Sequence, residues 1–129
     1  MATSFAAETV ARLGQAEEIE LETRAAASAP TRRTTMWIVA DGSNLYVRSV
    51  RGPQGKWYQR VQRNPAATLH GAGQTLAVRL APVTDTAEIE RVSAAYRRKY
   101  TADASSVRAM LAPATLPTTM RVMPVSSAE

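Results

Sequence analysis

The chain has 129 residues, of which 45% are hydrophobic and 21% charged, as in one ordinary soluble domain spanning residues 1–129. Its apolar runs fall far short of the roughly 20 residues a membrane helix needs, and no basic region followed by an apolar stretch opens the chain, so the cytoplasm is the expected compartment. The net charge of +5 comes from 14 Arg and 2 Lys against 3 Asp and 8 Glu, with one His and no Cys; disulfides, a thiolate metal site and a Cys nucleophile are excluded, and no metal is expected.

Ser4 can cap a short helix running to about Leu13, with Ala6, Val10 and Leu13 on one face and Gly14 at its end. Glu17 to Thr23 alternates, with Ile19, Leu21 and Thr23 on one side and Glu18, Glu20 and Glu22 on the other, which predicts a half-exposed strand. The small residues of 25–30 read as a loop. Thr34 to Ala40 is one β-rich run, Asp41-Gly42-Ser43 a tight turn and Asn44 to Ser49 the return strand, together a central hairpin. Gly52 to Gly55 reads as a loop. Lys56 to Arg63 reads as a short helix with Trp57, Tyr58 and Val61 inward, ended by Asn64-Pro65. Ala67 to His70, a turn at Gly71 to Gly73, and Gln74 to Val83 form a second hairpin. Asp85 with Glu88 resembles a capping box. The helix that follows, from Thr86 to about Tyr100, places Ile89, Val92, Tyr96 and Tyr100 on one stripe. A weaker helix spans Ser105 to Leu111, and Thr118 to Val125 is a last strand. The fold class is therefore α+β, with about six short antiparallel strands and flanking helices. Strands at this spacing suggest a sheet that curls into a small barrel.

The charge is uneven along the chain. Residues 1–30 carry net −3, residues 31–63 net +6 and residues 64–129 net +2. The central third holds Arg32, Arg33, Arg48, Arg51, Lys56, Arg60 and Arg63 against Asp41 alone. Such a field attracts phosphates, carboxylates or nucleic acid, unless it is simply a solvated face.

From Tyr46 to Gly73 the sequence reads YVRSVRGPQGKWYQRVQRNPAATLHGAG. Its ordered features are Tyr46 and Ser49, Gly52 and Gly55, Trp57-Tyr58, Asn64-Pro65, Gly71 to Gly73, and then Val78-Arg79. This plan resembles the split β-barrel superfamily of deazaflavin-dependent nitroreductases and pyridoxamine-phosphate-oxidase-like flavoproteins. The whole chain is similar to a family of small bacterial proteins, a domain of unknown function within that superfamily. The resemblance implies a split barrel, a homodimer, FMN or a deazaflavin as cofactor, and hydride transfer to a small organic substrate. It places cofactor phosphate contacts at Arg33 on the second strand and at Ser49 and Arg51 after the third, with Arg32 beside Arg33. Gly52, Lys56 and Trp57 join them as candidate cofactor-binding residues. It assigns no catalytic residue. The stretch Ala29-Pro30-Thr31-Arg32-Arg33 lacks the glycine that deazaflavin enzymes carry there. A cofactor-free barrel that binds a small molecule, or catalyses a non-redox step such as cyclisation, is therefore the alternative.

Each candidate also has a plainer role. Arg32, Arg33, Ser49 and Arg51 could be solvated residues flanking turns. Trp57 and Tyr58 could be the packed face of a helix. Tyr96 and Tyr100 read as core rings, Arg97, Arg98 and Lys99 as a wet helix face, and His70 as an ordinary surface residue. Glu18, Glu20 and Glu22 read as the solubilising face of an unpaired edge strand. For nucleic acid, only Trp57 and Tyr58 beside Arg60 and Arg63 offer stacking platforms. Gly52 to Lys56 lacks the frame of a nucleotide-binding P-loop.

Overall fold

The computed structural model describes residues 5–125. Among these the chain forms four α-helices and one seven-stranded antiparallel sheet. Helix α1 (Ala7–Gln15) buries Val10 and Leu13. Ser4 lies outside the described residues, and the N-cap position is Ala6, whose methyl side chain cannot cap the helix. Gly14, expected to end the helix, lies inside it. A Cβ there would come within 3.1 Å of the Ala40 side chain, so glycine is what lets α1 approach the sheet.

Strand β1 (Ile19–Thr23) keeps the expected alternation, with Ile19, Leu21 and Thr23 buried. It is not an edge strand, however: it pairs with β2 (Arg32–Met36) on one side and β5 (Ala66–Gly71) on the other. Its outer carboxylates serve cross-strand pairing instead, since Arg33 reaches Glu20 at 3.1 Å and His70 reaches Glu22 at 2.8 Å.

The run Thr34 to Ala40 is not one strand. β2 ends at Met36 and β3 (Val39–Asp41) begins after Trp37 and Ile38. At the break, side chains of α3 (Thr86–Lys99) and the residue just after it replace a ladder partner. The Ile38 N–H donates to the Tyr100 hydroxyl at 3.2 Å, and Lys99 donates to the Ile38 carbonyl. β3 turns at Gly42, whose φ of +62° suits glycine, into β4 (Asn44–Val47). This hairpin forms as expected but lies at one end of the sheet. The order is β2-β1-β5-β6-β7-β4-β3, with β6 at Gln74–Pro82 and β7 at Met120–Pro124. The two end strands are separated in the chain by only two residues, which at about 3.5 Å each brings the sheet round on itself.

Helix α2 (Lys56–Arg63) follows a 3-10 turn at Gly52–Gln54, and α4 (Ala104–Met110) follows α3. Inside the curl lies one core, including Leu13, Leu21, Leu45, Val47, Leu69 and Val78. A second core, of Val39, Tyr46, Val92, Tyr96, Tyr100 and Met110, lies between β3–β4 and helices α3 and α4. β4 thus has Leu45 and Val47 facing one core and Tyr46 the other, as expected of a strand buried on both faces. Each fully buried aliphatic side chain contributes about 1.5–3 kcal/mol. Among the described residues no helix is long and apolar enough to cross a membrane.

The β5–β6 hairpin turns through Ala72 and Gly73, with φ of +51° and +75°. The alanine is exposed and sits in a left-handed conformation that costs an L residue about 1–2 kcal/mol, whereas asparagine tolerates it. Ala72→Asn should therefore raise stability by about 1 kcal/mol. An unchanged or lower midpoint in urea denaturation would contradict this reading of the turn.

Candidate functional site

A groove of about 660 Å³ runs along Thr34 to Trp37, past Ser49 to Arg51 and the start of α2, to α4. It lies where the two cores meet. Met36 and Trp57 belong to the first core, and Met110 belongs to the second, against which Trp37 packs.

Arg48 lies at the edge of this groove and is only 1% exposed. Alternation along β4 puts it on the Tyr46 side, facing the helices. Its Nε donates to Thr119 Oγ1 at 2.8 Å, Nη1 to the Met110 carbonyl at 3.0 Å and Nη2 to the Ile89 carbonyl at 2.8 Å. Its guanidinium stands 5.4 Å from the Tyr96 ring centroid. No carboxylate pairs with it among the described residues. Burial pulls its pKa down, yet a guanidinium starts high enough to stay charged. The groove therefore contains a buried positive charge without a counter-ion.

Ser49 is 1% exposed and donates its hydroxyl to the Gly52 carbonyl at 2.7 Å, closing the turn. A Cβ on Gly55 would collide with that hydroxyl at 2.1 Å, which explains the second glycine. Gly52 is buried, with φ +65° and its back against Ala114, and does not line the groove. Arg51 and Lys56 do line it, both are exposed, and neither makes an ion pair or side-chain hydrogen bond among the described residues. The first turn of α2 has no side-chain cap, and Gly55, Lys56 and Trp57 at its start face the groove. Its free N–H groups add a partial positive charge there.

The structure brings together Ser49, Arg51, Lys56 and Trp57. It sets Arg32 and Arg33 apart from the groove lining. Arg33 is engaged by Glu20, with Glu22 at 3.8 Å. Arg32 is exposed near Arg60, which is itself held by Thr23 Oγ1 at 2.7 Å. Trp57 and Tyr58 are 6% and 9% exposed and pack inward, so they offer no stacking platform to a single nucleic-acid strand. His70 is half-buried on β5. Among the described residues no group of three His, Cys, Asp or Glu side chains could hold a metal.

Sequence reasoning missed two residues of the groove, Trp37 and Arg48, and misread two elsewhere in the fold, Lys99 and Glu88. Trp37 lines the groove and stacks on Tyr100. Arg48 carried the only available signal, a parity shared with Tyr46. Lys99 is not on a wet face: it is half-buried, and burial pushes its pKa down to about 8. Glu88 does not complete a capping box. Asp85 caps α3 by accepting the Glu88 N–H at 2.9 Å, but the Glu88 carboxylate turns inward to accept from the Tyr46 hydroxyl at 2.5 Å and from Arg121. These two donors, the Tyr46 hydroxyl foremost, hold its pKa below the usual carboxylate range.

The profile of a family described as "Uncharacterized protein conserved in bacteria (DUF2255)" matches residues 9–122. The chain belongs to this family. No curated protein matches the sequence. Among solved structures, the DUF2255 chain is similar to the heme storage protein HutZ from Vibrio cholerae, with TM-score 0.68 and 13% identity over 93% of this chain and 89% of that one. An F420-H2-dependent reductase matches with TM-score 0.61 and 14% identity, over 82% of this chain and 93% of that one. A candidate pyridoxamine 5′-phosphate oxidase from Listeria innocua matches with TM-score 0.60 and 17% identity, over 94% and 92%. At these identities the likeness establishes the fold. The DUF2255 chain is an α+β split barrel of the kind its sequence resembled, with seven strands because the Thr34–Ala40 run divides in two.

Arg48→Ala would remove three charge-assisted hydrogen bonds and leave a cavity in the seam, although the Met110 carbonyl still accepts from Thr115 Oγ1 and the Thr119 hydroxyl still donates to the Leu116 carbonyl. It should cost about 2–4 kcal/mol in chemical denaturation, and a loss below 1 kcal/mol would show that the seam does not depend on it. Glu88 has a depressed folded pKa, so its contribution is present above the unfolded carboxylate pKa and is lost as pH falls through the folded value. Between about pH 5 and pH 2 the wild type should therefore lose more stability than Glu88→Gln. Equal slopes in that window would contradict the assignment.

Proposed function

We propose that this chain binds an anionic redox cofactor of the flavin class, FMN or a deazaflavin, in the groove and supports hydride transfer to a small organic substrate. One observation carries the reading. A groove of about 660 Å³, walled by Trp37 and Trp57, opens on Arg51, Lys56 and the uncapped start of α2. That volume falls in the range of about 300–1,000 Å³ typical of small-molecule sites. Two cations without a partner among the described residues, beside the start of a helix that has no side-chain cap, suit a phosphate. Arg51 and Lys56 would hold the anionic group, Trp57 would wall the site, and Arg48 would contribute its field from below. The cofactor supplies the hydride chemistry when bound; the chain binds it, orients it and excludes water. A homodimer is the assembly that accompanies this reading.

Haem fits less well. It asks for an axial ligand, and the single histidine of the chain lies on β5 against Glu22. A cofactor-free barrel acting on a small molecule, for instance in a cyclisation, is the second reading. It is favoured by the commitment of the Ser49 hydroxyl to Gly52 and of Arg33 to Glu20.

Titration of the purified protein with FMN and with a deazaflavin, followed by equilibrium dialysis, separates the two. Saturable binding is expected. It should weaken at least about tenfold in Arg51→Ala/Lys56→Ala, the loss of one or two charge-assisted contacts, and stay within about twofold in Arg33→Ala. If neither ligand binds at tens of micromolar, the redox reading falls and the cofactor-free one replaces it.

A further inference from the structure

Trp37 interrupts the strand run, and the structure gives it a defined pose. Its ring lies 3.7 Å from that of Tyr100, centroid to centroid, with 5° between the planes. Aromatic pairs ordinarily prefer offset or edge-on contacts with centroids about 4.5–7 Å apart, so this overlap is imposed by the surroundings. Tyr100 is where it is imposed. Its hydroxyl donates to the Glu17 carbonyl at 2.7 Å and accepts from the Ile38 N–H at 3.2 Å. The Lys99 ammonium stands 5.0 Å from its ring centroid. Burial pushes the phenol pKa up to about 12, so the hydroxyl keeps its proton and its role as donor.

The other side of the indole is unlike a core residue's. Trp37 is only partly buried, packs at the margin of the second core and lines the groove. One face is covered by Tyr100, which leaves the opposite face and the edge as the parts of Trp37 that a groove ligand can meet. Met36, Ala109 and Met110 border the same space with apolar surface, Arg51 and Lys56 bring cations that have no partner among the described residues, and Glu18 is the one carboxylate of the lining. An aromatic face backed by a second ring, in a groove whose Arg51 and Lys56 have no partner among the described residues, is complementary to one chemical class: a planar aromatic ring carrying an anionic substituent.

We infer that Trp37, backed by Tyr100, is a stacking platform for a planar ring, and that the groove binds ring-plus-anion ligands with the ring against Trp37 and the anion toward Arg51 and Lys56. The inference deepens the cofactor reading and rests on it for the natural ligand. The platform itself is independent of whether that ligand is a flavin.

The test uses the full chain with FMN and, as a non-flavin aromatic anion, 8-anilinonaphthalene-1-sulfonate. Affinity is read by equilibrium dialysis and ring contact by the emission of bound FMN, which stacking on an indole quenches. Trp37→Ala should weaken FMN about tenfold. Trp37→Phe should keep affinity within about threefold, because a ring remains, while the emission of bound FMN rises several-fold. Should Trp37→Ala fail to fold in a thermal scan, the Trp37→Phe emission decides. If FMN binds and depends on Arg51 and Lys56, but affinity and emission ignore both Trp37 variants, the platform is overturned and the cofactor reading stands. If neither FMN nor a deazaflavin binds, the cofactor reading falls and the sulfonate probe decides the platform. Saturable binding of that probe lost in Trp37→Ala supports it; binding that is absent or indifferent to the variant overturns it.

Discussion

The seam between the two cores depends on one buried guanidinium. Arg48 reaches from the end of β4 to α3 through Ile89, to α4 through Met110 and to the approach of β7 through Thr119. Burying a charge costs several kcal/mol. Hydrogen bonds to a charged donor return about 1.5–3 kcal/mol each, so three of them can offset that cost. The fork of donors matters as much as the charge, because a lysine at this position could not point at three elements in different directions. The neighbouring Tyr46–Glu88–Arg121 cluster solves a similar problem differently, by pairing its arginine with a carboxylate. Arg48 has no such partner among the described residues, and its charge stands at the edge of the groove.

The groove itself is a product of how the sheet closes. A continuous strand from Thr34 to Ala40 would run past the seam with its polar backbone engaged in a ladder. Instead the chain leaves the sheet at Trp37 and Ile38, and Tyr100 and Lys99 take over the backbone bonding of Ile38. The break frees Trp37 to face the second core and the groove together. Strand β2 keeps a partner on one side only, and the groove follows its other edge. Closure, break and cavity are one event seen at three scales.

The positive central third of the chain disperses once folded. Arg33 joins the acidic face of β1, Arg48 goes into the seam, and Arg60 lies across Thr23. What remains for a ligand in the groove is Arg51 and Lys56, both beside the start of α2. A local charge of +6 read along residues 31–63 therefore overstates the field at any one place. Charge counts sum along the chain, whereas potential depends on distance and on which partners are already taken.

Local signals determined most of the elements. The alternation of Ile19, Leu21 and Thr23, the Asp41-Gly42 turn, the Trp57-Tyr58-Val61 face of α2 and the stripe from Val92 to Tyr100 each follow from periodicity or turn chemistry within a few residues. The ordered features from Tyr46 to Arg79 placed the chain in a split barrel through the resemblance they carry, whereas the glycines and prolines by themselves marked only where strands end. Among the candidate residues, Ser49, Arg51, Lys56 and Trp57, named through that resemblance, do line the groove. The rest needed the tertiary structure. Nothing near Trp37 in the chain says that a tyrosine 63 positions later will hold its ring. Nothing near Glu88 says that Tyr46 and Arg121 will compete with the helix cap for its carboxylate. Arg48 and Arg33 carry the same side chain, and only packing decided that one is buried against carbonyls while the other pairs with surface acids. Short-range patterns encode secondary structure; the partners of a long polar side chain are set by contacts across tens of residues, which exist only once the sheet has closed.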